Sequence, residues 1–137
     1  MAGLQSMTPI EYEVFFALLQ LKERGTSSAV LKEICQEVKK RRRQRGIQAL
    51  SVQHVYYYLK RLSKRPFVKK ENEKKIAHYS LVRGTWKLTQ SPPLCIHIDD
   101  RHFVLICDKT ATCRKEPSIE CVQDLVNMGN IVLPVPA

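Results

Sequence analysis

Three apolar stripes at helical spacing, each with its own start and stop residues, occupy the first half of this chain and fix most of what it can become. The first opens at Thr8-Pro9-Ile10-Glu11, where Thr8 can cap a helix, Pro9 suits its first position and Glu11 completes a capping box. Ile10, Val14, Leu18 and Leu21, with Phe15 and Leu19 beside them, carry the stripe until Gly25 ends it. The second starts around Thr26–Ser28 and turns Val30, Leu31, Ile34, Cys35 and Val38 inward. It closes on Lys39–Arg45, six cations in seven residues, placed where the helix dipole favours them. Ser51 caps the third, which runs from Val52 to about Lys64 before Pro66.

The third helix has two unlike faces. At about 100° per residue, Val52, Val55, Leu59 and Leu62 fall together, while Gln53, Tyr57, Lys60, Arg61 and Lys64 fall opposite them. Phe67–Glu71 and Ile76–Val82 follow as extended segments around a polar turn at 72–75, which reads as a β-hairpin. Three helices and a basic hairpin describe a winged helix-turn-helix over residues 1–90. Trp86-Lys87-Leu88 can add a strand, and Ser91-Pro92-Pro93 marks a boundary. Beyond it, Leu94–Ile98 and Phe103–Cys107 read as strands, a helix carrying Ile119, Val122, Leu125 and Val126 opens at Pro117-Ser118, and Ile131–Val135 is an edge strand limited by Pro134. The expected fold is therefore α+β, with an N-terminal winged helix and a small C-terminal ββαβ unit over 91–137. So short a unit should pack on the winged helix or on a twin, and a homodimer is expected.

Charge divides along the same line. Residues 1–90 hold 19 basic and 7 acidic side chains, a net +12, whereas residues 91–137 hold 4 and 6, a net −2. A basic front half points to a polyanion as partner. No apolar run reaches the roughly 18 residues that span a bilayer, and the N-terminus lacks the layout of a signal peptide. A cytoplasmic, nucleoid-associated protein is expected, nuclear if the source is a nucleated cell.

The run Ser51-Val52-Gln53-His54-Val55-Tyr56-Tyr57-Tyr58-Leu59-Lys60-Arg61-Leu62, followed by Phe67-Val68, resembles the recognition helix and wing entry of the ferric uptake regulator family of repressors. Thr8-Pro9 is similar to that family's opening, and His102-Phe103-Val104-Leu105-Ile106-Cys107-Asp108-Lys109 to part of its dimerisation domain. The resemblance implies a DNA-binding regulator with a winged helix and a dimerisation unit. Tyr57 stands where the family carries a base-contacting arginine, and Thr110 where it carries the second cysteine of a C-x-x-C.

Lys and Arg suit phosphate, while amides and aromatics suit base edges. The expected DNA-binding set is accordingly Ser51, Gln53, His54, Tyr56, Tyr57, Lys60, Arg61 and Lys64 on the third helix, with Lys69, Lys70, Lys74 and Lys75 on the hairpin. Arg41, Arg42 and Arg43 are expected to clamp phosphates. Tyr58 is assigned to the core side, and Glu11, Glu13 and Glu23 to the helix surface as solubilising charges. Cys95, His97, Asp99, Asp100, His102, Cys107, Cys113 and Cys121 offer donors, yet none of the five cysteines sits in a C-x₂-C pair, so no metal and no cofactor is expected. A disulfide between Cys95 and Cys107 would need a three-residue hairpin loop. With no Gly-rich phosphate loop, H-E-x-x-H or nucleophile elbow, the chain does not read as an enzyme. The reading is a sequence-specific regulator that binds double-stranded DNA and acts by occupying its site, with no small-molecule ligand identifiable. The alternatives are a winged-helix protein-interaction module and a sequence-blind binder of single strands or RNA.

Overall fold

A helix that is apolar on every side has to be buried on every side. Helix α1, Pro9–Glu23, is such a helix: Tyr12, Val14, Phe15, Phe16, Ala17, Leu18 and Leu19 are each 3% exposed or less. It forms the axis of the computed structural model, which describes residues 8–65, 67–82, 84–88, 94–98, 103–107, 118–127 and 134–136. Thr8 caps α1 through its side chain to the Glu11 N–H, and the Glu11 carboxylate accepts from the Thr8 N–H in return.

The next helix starts later than its sequence signals imply. Ala29–Val30 forms a short strand, β1, and α2 occupies Leu31–Gln44. Pairing of β1 with a later strand holds these two residues extended, and Glu33 accepts from the Val30 N–H at the later start, whereas a start around Thr26–Ser28 was expected. Helix α3, Val52–Leu62, is capped by Ser51 as expected. Strands β2, Val68–Glu73, and β3, Ile76–Leu81, make an antiparallel hairpin, and the first sheet has the order β1-β3-β2.

The second sheet crosses the Pro-Pro boundary. Strand β4, Gly84–Leu88, pairs antiparallel with β5, Leu94–Ile98, which pairs with β6, Phe103–Cys107. After α4, Ile119–Asn127, strand β7, Pro134–Pro136, returns to the outer edge of β4, giving the order β6-β5-β4-β7. So the ββαβ arrangement gains a first strand from before residue 90. In β5–β6 the register sets Cys95 opposite Ile106 and Cys107 opposite Leu94, with four residues in the loop, so the two cysteines are not cross-strand partners.

The fold is thus mixed α+β, with four helices among the described residues. Ile96, Ile98, Ile119 and Val122 join the side chains of α1, α2, α3 and the hairpin in a single apolar cluster. Of the two partners expected for the C-terminal segment, the one it packs on here is its own N-terminal part. Two parallel ion pairs reinforce that contact, Arg41 with Glu120 and Arg45 with Asp124, each set spaced one helical turn along α2 and α4.

Three placements differ from expectation. Glu11 is fully buried and Glu13 nearly so, because each faces arginines: Arg65 and Arg61 for Glu11, Arg42 for Glu13. Only Glu23 of that set lies on the surface. Val52 is 58% exposed, since the first turn of α3 projects past the core that Val55, Leu59 and Leu62 fill. Arg41 is buried against Glu120, and Arg42 is held by Glu13 and the Gln48 carbonyl, so neither is presented as a phosphate clamp. Both lie on the inward side of α2, next to Val38, where an arginine persists only with a carboxylate to meet it.

Candidate nucleic-acid interface

Helix α3 is anchored by an apolar back and presents a polar, aromatic front. Val55, Leu59 and Leu62 are each 1% exposed or less, while Gln53, His54, Tyr56, Tyr57, Lys60, Arg61 and Lys64 are all exposed. Tyr56 and Tyr57 stand 44% and 52% exposed, large rings that a helix serving only the core would turn inward. Tyr58 is partly buried and packs against the core, as its position implied.

The front is ordered by contacts to the layer beneath. The Ser51 hydroxyl accepts the His54 N–H and lies 3.2 Å from His54 Nδ1, so the cap that starts the helix also aims the imidazole. Arg61 Nη1 donates to the Tyr57 hydroxyl at 3.3 Å, and its guanidinium carbon lies 5.8 Å from the Tyr57 ring centre. Tyr58 meets Tyr57 edge-on at 5.0 Å. Beneath them, Glu11 reaches Arg61 at 3.4 Å and Arg65 at 3.2 Å. The hydrogen bond to Tyr57, and after it the Glu11 carboxylate, hold the Arg61 guanidinium above its ordinary value. Glu11, like Glu13, is a residue that surface assignment missed.

The hairpin carries cations of its own. Burial first, and then the Tyr56 phenol, push the Tyr79 phenol above its ordinary value. Lys70 Nζ sits 6.0 Å from the Tyr79 ring centre. Lys69 pairs with Glu71 at 2.7 Å on the other face of β2, and His78 lies 3.8 Å from Glu73. At the tip, Lys74 and Lys75 occupy a two-residue turn with φ of 51° and 66°. Positive φ at both positions favours Asn-Gly, and a left-handed lysine costs about 1–2 kcal/mol. Two lysines stand there instead, beside Ile76, which is 55% exposed.

Of the cations expected on α2, Arg43 is exposed while Arg41 and Arg42 are not. Of the possible metal donors, Asp99, Asp100, His102 and Cys113 lie outside the described residues, as do the side chains of Cys95 and Cys107. Among the described residues no three His, Cys, Asp or Glu side chains gather as a metal site. Cys35 is half-buried against the core, and burial pushes its thiol up. No helix among the described residues is long and apolar enough to cross a membrane. The chain matches no protein-family model, no curated protein and no solved structure.

Proposed function

We propose that this protein is a winged helix-turn-helix regulator that binds double-stranded DNA and acts by occupying its site. Helix α3 enters the major groove, and the β2–β3 hairpin serves as the wing. The observation that carries this reading is the α3 front: Tyr56 and Tyr57 exposed among Gln53, His54 and Lys60, with Lys64 in the turn that follows, on a helix whose other side is sealed into the core. Gln53 and His54 suit base edges, the tyrosine rings suit thymine methyls and sugars, and Lys60 and Lys64 suit phosphate. The lysine pair at the strained hairpin tip supports the same reading, because backbone strain retained for two charges points to a use for those charges. The likeness of Ser51–Leu62 to the recognition helix of ferric uptake regulator repressors agrees with it.

Paired copies would set two α3 fronts about one duplex turn apart, ~34 Å, or a multiple of it. A palindromic site selected from random duplexes would mark such a homodimer. The test of the reading is that selection, followed by competition between the selected duplex and scrambled sequence. A preference that persists at each salt concentration supports groove reading, whereas attraction to any polyanion leaves none. Stronger binding to single strands or RNA than to any duplex would transfer the tyrosines to base stacking.

A further inference from the structure

The six cations of Lys39–Arg45 are sorted by the fold into two sets. Arg41, Arg42 and Arg45 turn toward the body of the protein, and each meets a carboxylate, Glu120, Glu13 and Asp124 respectively. Lys39, Lys40 and Arg43 turn outward, and among the described residues they have no carboxylate partner. With Gln36 and Gln44 they line a shallow hollow of about 400 Å³ along the outside of α2. All five follow the i, i+3, i+4 spacing of one helix face.

An ordinary solvated helix face mixes signs, because opposite charges one turn apart stabilise it by about 0.2–0.5 kcal/mol and like charges cost a similar amount. This face does the reverse. Lys39 and Arg43 stand at i and i+4, Lys40 and Arg43 at i and i+3, the positions four from Lys40 are Gln36 and Gln44, and Glu37, three before Lys40, is buried. The acids of α2 are used elsewhere: Glu33 accepts from the Val30 N–H, and Glu37 is buried against Arg24. The dipole of the C-terminal turn offsets part of the repulsion but does not call for an acid-free stripe. Three unpaired cations with amide donors at both ends are the complement of a line of phosphates.

We propose that this outer stripe of α2 is a second anion-binding surface, which holds the phosphate backbone of duplex DNA without reading its sequence. It shares no residue with the α3 front, and it replaces Arg41 and Arg42 as the helix-two contact. It rests on the proposed DNA reading only for the identity of the polyanion.

The test compares the full chain with the triple variant Lys39→Gln, Lys40→Gln, Arg43→Gln in a salt series on random-sequence duplex DNA, with Tyr57→Ala run alongside on random and selected duplexes. All three changes are on an exposed face, and thermal unfolding checks that the fold is retained. Each phosphate contact contributes about 0.9 to the slope of log K against log salt, so the triple variant is expected to lose about 2–3 from that slope. It should lose affinity equally for random and selected duplexes, and the charge-conserving variant Lys39→Arg, Lys40→Arg, Arg43→Lys should keep the slope. An unchanged slope and affinity in the triple variant overturns the proposal, even if Tyr57→Ala destroys sequence preference and so upholds the α3 reading. If the triple variant loses slope while the unmodified chain prefers no sequence, the stripe stands and the α3 reading falls. Loss of binding to phosphatidylserine vesicles with an unchanged DNA slope would assign the stripe to a lipid surface and overturn the proposal.

Discussion

Helices α2 and α3 both carry cations near their C-terminal ends, yet they spend them differently. On α2 half of the terminal cations point inward and are matched by carboxylates of α1 and α4, so they tie the fold together. On the α3 front Gln53, Tyr56 and Lys60 face solvent, as does Lys64 just past the helix, while Arg61 is tethered by Tyr57 above and Glu11 below and His54 by the Ser51 cap. The comparison teaches that counting basic residues measures attraction to a polyanion but not which side chains can meet one. Burial and pairing decide that, and they divide a run of six neighbouring cations as sharply as they divide two helices.

The largest effect expected from this contrast is on stability, at the acid beneath α3. Glu11→Ala removes the carboxylate that faces Arg65, itself only 14% exposed, and leaves that guanidinium with a lost partner in a mostly dry place. Breaking such a pair costs about 3 kcal/mol, read as a lowered denaturation midpoint at unchanged m-value. A loss below about 1 kcal/mol would mean that Glu11 is not the anchor described here. On the α3 front the order reverses: Tyr57→Ala should cost about 1–3 kcal/mol in binding a selected duplex, yet leave thermal unfolding almost where it was. Loss of fold without a separate loss of affinity would make Tyr57 a structural residue.

The hairpin tip separates stability from binding in the opposite sense. Lys74→Asn with Lys75→Gly relieves two left-handed lysines and should raise stability by about 1 kcal/mol, after the added glycine entropy is discounted. The same variant should bind duplex DNA more weakly and with a shallower salt slope. Equal or tighter binding by the stabilised variant would show that the strain serves no contact. The smallest effect is expected at Asp124→Asn. Its carboxylate is 60% exposed against Arg45, so its loss should shift stability by less than about 1 kcal/mol. A larger loss would make the α2–α4 ion pairs a principal attachment of the C-terminal segment.

Elements whose signal is local were legible in the sequence. Ser51 caps α3, Val55, Leu59 and Leu62 fill its back, and β5 and β6 have the bounds that their apolar runs imply. What was not legible depends on partners far along the chain. Arg41 looks like any other terminal cation until Glu120 is brought against it across α2 and α4. Glu11 looks like a surface acid because the sequence does not announce that Arg65 will close over it. Likewise Ala29–Val30 carries no strand signal of its own and is extended only because β3 offers it an edge. The exposure of the α3 front could be read in advance because it follows from helical spacing alone, whereas the α2 stripe emerged only once its neighbours had been subtracted.

Sequence reading by the α3 front, as proposed, is met head-on by a selection experiment. Duplexes selected by the full chain from a random pool should yield a defined motif, and Tyr57→Ala should bind that motif with its preference over scrambled DNA reduced by about ten-fold or more, for a lost contact of ~1.4 kcal/mol or above. A pool that returns no motif, or a Tyr57→Ala variant that keeps the full preference, would contradict the account.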